Sequence, residues 1–166
     1  IRELPAETVD RIAAGEVVTR PARVVAELLD NALDAGADRI EVAVDGDGTD
    51  RIAVRDDGHG LWADDAQLAV RPHTTSKLAA ADDLRTADTL GFRGEALASV
   101  ADAAGELRLR TNDGREATEV TVTGTAGDFA VETEPASRAR GTTVTVRDLF
   151  ANRPARRESL ADSRRE

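Results

Sequence analysis

Cysteine is absent from the 166 residues, which excludes disulfides and thiolate-ligated metals and fits a reducing cytoplasm. No apolar run is long enough to cross a bilayer, and no signal-peptide pattern opens the sequence. A cytoplasmic protein with no membrane partner is therefore expected. The phosphate-loop pattern G-x-x-x-x-G-K-[ST] is missing as well, which excludes a P-loop NTPase. Aromatic residues make up 2% of the chain, and Ala stands where larger apolar residues are usual. Lysine is reduced to Lys77 alone; every other strong base is Arg. Acidic residues are abundant instead, 32 against 22 basic ones, for a net charge of −10. That balance does not favour a polyanionic partner such as DNA. The acid is dispersed, as in a protein that stays hydrated in a high-salt cytoplasm encoded by GC-rich DNA. An acidic interaction domain is the other reading of the same charge.

The length suits one ordinary domain with its own core, and no repeat, low-complexity block or linker divides it. Pro21 after Thr19 predicts a helix start with Thr19 as cap, running to Ala35 and stopping at Gly36. Its expected apolar face is Val25, Leu28, Leu29, Ala32 and Leu33. Glu27, Asn31 and Asp34 fall on a different, polar stripe. Ile40, Val42 and Val44 alternate as a strand, Asp45 to Gly48 is hairpin-turn chemistry, and Ile52 and Val54 alternate in the returning strand that ends at Asp56. Helices are expected around Asp64 to Val70, near Ala81, from Glu95 to Ala101 and from Pro154 to Leu160. Strands are expected at Glu106 to Thr111, Glu116 to Thr123, Phe129 to Glu134 and Thr142 to Arg147. Early helices and late strands predict an α+β fold, a two-layer sandwich with helices on one face of a mixed, mostly antiparallel sheet.

The chemistry-bearing residues are spread along the chain. Asn31 offers a neutral amide oxygen, a suitable hard ligand for Mg²⁺. Glu27, one turn earlier, is placed to take a proton from an attacking water. In isolation such a pair is an ordinary solvated helix face. Asp56 ends a strand and is followed by Gly58 and Gly60: a carboxylate there can accept from an exocyclic amine while the glycines allow close backbone approach. By itself D-x-G-x-G is more often a plain turn. Gly91, Phe92, Arg93 and Gly94 precede a helix, so their N–H groups and the helix dipole suit a phosphate, or simply cap the helix. Lys77 brings a compact point charge where Arg would bring a planar fork. His59 and His73 lack a third ligand at useful spacing. Trp62 is expected to pack. Arg153, Arg156 and Arg157 are read as a structural helix start before backbone-phosphate contacts.

In order and spacing, E-L-L-D-N-A-L-D-A-G (27–36), D-D-G-H-G (56–60), T-T-S-K (74–77), L-G-F-R-G-E-A-L-A-S (90–99) and G-T-T (141–143) resemble the Bergerat-type nucleotide-binding fold. Gyrase-type topoisomerases, ninety-kilodalton heat-shock chaperones, sensor histidine kinases and the MutL mismatch-repair proteins share it. I-A-A-G-E-V-V (12–18), R-P-A (20–22) and N-R-P-A-R-R (152–157) look specifically like MutL. The resemblance implies an ATPase that uses Mg²⁺, with Glu27 as base, Asn31 as metal ligand and Asp56 on the adenine amine, assisted by Thr143. It also implies a lid at Thr74, Thr75, Ser76 and Lys77 that closes over the nucleotide, and a phosphate site at Gly91 to Gly94. The family usually has Asn at the position of Asp57, a difference that general acidification would account for. Residues 1–166 are expected to form one ATP-binding domain of a longer protein, without its second ATPase subdomain or carboxy-terminal dimerisation region. ATP would drive homodimerisation and signalling to mismatch-recognition and other repair proteins, with weak DNA contact through the full-length dimer. The alternatives are a topoisomerase B-subunit ATPase domain, or a nucleotide-regulated binding module without useful turnover.

Overall fold

The computed structural model describes residues 20–71, 94–125 and 128–151. Helix α1 spans Pro21–Asp34, with Pro at its first turn and extended Arg20 as the N-cap residue, which makes no side-chain cap bond. The cap expected from Thr19 lies outside the described residues. At the other end Gly36 N–H bonds Leu33 O (3.0 Å) and Ala37 N–H bonds Ala32 O (3.2 Å). That is the paired pattern of a Schellman stop, with Gly36 at φ 71°. The buried stripe of α1 is Val24, Leu28 and Ala32, whereas Leu33 is 61% exposed. Leu28 and Ala32 of the expected face are buried; the correction is that Val24, four residues before Leu28, joins them and Leu33 does not. Val25 packs only at the flank of the core.

Six strands follow: β1 Ile40–Asp45, β2 Arg51–Asp56, β3 Ala104–Asn112, β4 Ala117–Thr125, β5 Asp128–Pro135 and β6 Gly141–Leu149, with α2 Ala63–Val70 and α3 Gly94–Ala103 inserted after β2. They form one sheet in the order β1-β2-β6-β3-β4-β5. Every described pairing is antiparallel. Helices on one face of this sheet make the α+β two-layer arrangement. Elements expected near Ala81 and at Pro154 to Leu160 lie outside the described residues.

Period-two alternation decides the two faces of the sheet. Ile52 and Val54, Leu107 and Leu109, Val120 and Val122, and Val144 and Val146 point at the helices and are buried. Val24, Leu28, Ala66, Ala69, Val70, Leu97, Val100 and Ala101 close the same core from the helical side. Val42 and Val44, on edge strand β1, are 44% and 48% exposed. The opposite face carries Arg108 and Arg110, which pair with Glu106 and Glu119 in an ion-pair lattice.

The register aligns one polar row at the end of the core. Asp56 faces Thr142 across β2 and β6, Thr142 faces Thr111 across β6 and β3, and Thr111 faces Thr118 across β3 and β4. One residue along, the row Arg55, Thr143, Arg110 and Glu119 belongs to the other side of the sheet.

Candidate functional site

The polar row borders a cavity between α1 and the sheet. Its floor is apolar, with Leu28, Val54, Leu61, Leu97, Leu109 and Val144, and its polar groups come from Asn31, Asp34, Asp56, His59 and Thr142. An apolar slot with a few convergent polar groups is what a flat heterocyclic ligand requires.

Asp56 is 8% exposed, at the end of β2 between Ile40 of β1 and Thr142 of β6. Burial, first of all, raises its carboxyl above the ordinary value, opposed by the N–H groups of Gly58 and Thr142 and by the charge of Arg138. Its Oδ1 accepts from Gly58 N–H at 2.8 Å, and Arg138 Nη2 donates to its main-chain carbonyl at 3.2 Å. Arg138 was missed by sequence reasoning: its sequence separation of 82 from Asp56 leaves no local signal.

Asp57 has a local task that composition does not reveal. Its Oδ1 accepts from the N–H groups of Asp38 and Arg39, both at 2.8 Å. These bonds, that of Arg39 foremost, lower its carboxyl below the ordinary range. They tie the end of β2 to the turn between α1 and β1. An Asn oxygen could accept the same two bonds, so the departure from Asn keeps the geometry.

The glycines serve chain approach as much as ligand approach. A Cβ at Gly60 would lie 2.0 Å from Asn112 O, and at φ 73° the backbone already disfavours a side chain. A Cβ at Gly58 would meet Ala35 Cβ and O at 2.7 Å. Gly60 lines the cavity and Gly58 does not. Gly58 thus lets the loop close on the end of α1, where His59 N–H bonds Ala35 O at 2.9 Å.

Asn31 lines the cavity, and its Oδ1 is buried without a hydrogen-bond partner among the described residues. A buried amide oxygen left unmet costs roughly 1–3 kcal/mol, and a hard oxygen donor of this kind suits Mg²⁺. This single oxygen is of the kind the expected metal takes; among the described residues no group of three or more carboxylate or imidazole side chains gathers that could hold a metal ion. Glu27 sits one turn away and half-buried, but its Oε1 pairs with Arg23 Nη2 at 3.2 Å, and it does not line the cavity.

Thr143 requires a correction. It borders the arginine-rich side of the sheet with Arg55, Arg110 and Arg138, while Thr142 lines the cavity. With Val144 and Val146 inward, alternation forces 142 in and 143 out; that signal was available in the sequence. Trp62 is a second correction: it is 63% exposed, at the N-cap of α2, and lies under the Arg115 guanidinium with 5.9 Å to the ring centroid. His59, Leu61 and Leu97 join the cavity without having been expected there. Gly94 opens α3. Thr75, Ser76, Lys77, Gly91, Phe92 and Arg93, like His73, Arg153, Arg156 and Arg157, lie outside the described residues.

Comparison with known proteins agrees with this fold. Residues 19–133 match the family model described as histidine kinase-, DNA gyrase B-, and HSP90-like ATPase. The chain is 54% identical over 164 residues to the DNA mismatch repair protein MutL of Halobacterium salinarum, covering 96% of this chain and 24% of that protein. It is 49% identical to MutL of Desulforudis audaxviator, covering 100% of this chain and 29% of the relative. The chain thus spans about a quarter of the length of these curated relatives. Among solved structures, the Aquifex aeolicus MutL ATPase domain complexed with ADP superimposes with a TM-score of 0.60 at 30% identity, covering 86% of this chain and 48% of that one. The N-terminal domain of a DNA repair protein gives a TM-score of 0.74 at 33% identity, covering 97% and 46%. The chain belongs to the histidine kinase-, DNA gyrase B- and HSP90-like ATPase family, and the relatives it resembles within that family are MutL mismatch-repair proteins.

Proposed function

We propose that this chain binds ATP with Mg²⁺ and hydrolyses it slowly as the nucleotide-responsive part of a mismatch-repair protein. The observation that carries this is one apolar cavity bordered by both the buried Asp56 carboxylate and the Asn31 oxygen, which has no partner among the described residues. Adenine would enter over Leu109 and Val144 with its amine on Asp56, and Thr142, in place of Thr143, would assist at the neighbouring ring atom. Asn31 would hold Mg²⁺, which supplies charge neutralisation at the phosphates when bound. Gly91, Phe92, Arg93 and Gly94 are the proposed phosphate cradle, and Thr75, Ser76 and Lys77 the proposed lid contacts. Glu27 is the proposed base, acting after its carboxylate leaves Arg23.

Homodimerisation on ATP, contact with mismatch-recognition proteins and weak DNA binding are proposed for the longer protein. The Arg23 pair supports a second reading, a nucleotide switch without useful turnover, since the base is engaged elsewhere. Calorimetric titration with ATP and GTP, with and without Mg²⁺, alongside steady-state phosphate release, separates them. Equal affinity for ATP and GTP would remove the adenine assignment. ATP binding without phosphate release above background would leave the switch.

A further inference from the structure

We infer that Thr111 sets the hydrogen-bond polarity of the nucleobase edge by fixing the direction of the Thr142 hydroxyl, a positioning role that rests on the ATP reading above. Thr111 is completely buried, in the polar row beside Thr142 and two strands from Asp56. Its Oγ1 accepts from Leu61 N–H at 2.8 Å. A hydroxyl has one hydrogen to give. Within reach are Thr142 Oγ1 at 2.9 Å and Gly141 O at 3.3 Å. Either hydroxyl can be the donor in the Thr111–Thr142 pair; in the proposed arrangement Thr111 gives its hydrogen to this shorter contact, so that Thr142 receives a bond from behind and keeps its own hydrogen for the cavity it lines.

The edge then reads acceptor at Asp56 and donor at Thr142. Adenine presents the complement, an amine hydrogen at N6 beside an acceptor at N1. Guanine presents the reverse, an acceptor at O6 beside N1–H. A single water between Thr142 and N1 passes the same polarity on. Leu61 N–H is part of the device, because by occupying Thr111 from the loop it commits the Thr111 hydrogen to the sheet side. Thr111 touches no ligand in this scheme; it acts through Thr142.

The test uses the 166-residue chain with ATP and with its 1-deaza analogue, in which ring N1 is a C–H. Calorimetry on the parent should give a preference for ATP of about 3–10-fold, the worth of one hydrogen bond. Thr111→Val should bring that ratio close to one by weakening ATP, and Thr111→Ser, which keeps the hydroxyl, should restore it. Should Thr111→Val fail to fold by circular dichroism, Thr111→Cys replaces it, since a thiol is a poor donor. A parent ratio of one, or a Val or Cys variant that weakens both nucleotides equally, overturns the relay while leaving ATP binding in place. A parent that binds no ATP overturns the proposed function itself and this inference with it.

Discussion

Asp56→Asn is the most informative substitution at this site, because it changes charge and donor pattern with almost no change in shape. The side chain is 8% exposed, so whatever meets a nucleotide there does so with little water to compensate. In the Asn variant the remaining oxygen can still accept from Gly58 N–H, a bond of 2.8 Å in the parent. The other oxygen becomes an NH₂, which would face the adenine amine donor to donor. The lost bond has a charged acceptor and is worth about 1.5–3 kcal/mol, so ATP affinity should fall roughly 10- to 150-fold.

Stability should move differently. Burial raises the Asp56 carboxyl, so its ionisation opposes folding. For a raised group the favourable contribution is complete below the ordinary value near 3.8 and is lost as pH rises through the folded-state value. The parent therefore carries the full cost of a buried charge at neutral pH, and the Asn variant does not. Its melting temperature at pH 7 should equal or exceed that of the parent, and the difference should shrink toward pH 3. Calorimetric titration and a melting series over pH measure both effects on one sample. An Asn variant that binds ATP like the parent refutes the adenine contact. A variant that is less stable at pH 7 by the same margin as at pH 3 refutes the burial argument.

Glu27→Ala should leave ATP binding within about twofold and reduce phosphate release 10²-fold or more, as expected for a lost general base; parental turnover would exclude Glu27. Arg23→Ala, which frees Glu27 from its 3.2 Å partner, should leave turnover unchanged or raise it, and a loss of turnover would show that Arg23 positions the base. Asp57→Ala removes the acceptor of two N–H groups and should lower the melting temperature. Because the Asp57 carboxyl is lowered, its support is present above the ordinary carboxylate value and is lost as pH falls through the folded-state value. The gap between parent and variant should therefore close in acid, and a gap that persists at pH 2 would contradict that assignment. With a net charge of −10, self-repulsion opposes compaction, and screening shortens to about 3 Å at 1 M salt. Melting temperature should climb from low salt to molar KCl while any DNA affinity falls; a flat melting curve would refute the high-salt reading.

Much of this molecule is legible in one dimension because the signals are local. Pro21 and Gly36 bracket α1, alternating Ile, Val and Leu mark β2, β3, β4 and β6, and the D-N-A-L-D-A-G and D-D-G-H-G phrases bring Asn31 and Asp56 forward as candidate site residues. Backbone preference and side-chain periodicity are properties of neighbouring residues, so sequence alone determines the elements, the α+β layering and the family. The orientation of those elements is not local. Whether α1 buries Val24 or Leu33, whether Trp62 packs or stands exposed under Arg115, and which of two adjacent threonines enters the cavity depend on the surface that arrives opposite. Val144 and Val146 are drawn to the helices by burial of apolar area, which turns Thr142 inward and Thr143 onto the arginine face. Tertiary structure alone brings Arg138 to the carbonyl of Asp56 and Leu61 N–H to Thr111, because hydrogen-bond partners 82 and 50 positions apart are chosen by strand register rather than by sequence proximity.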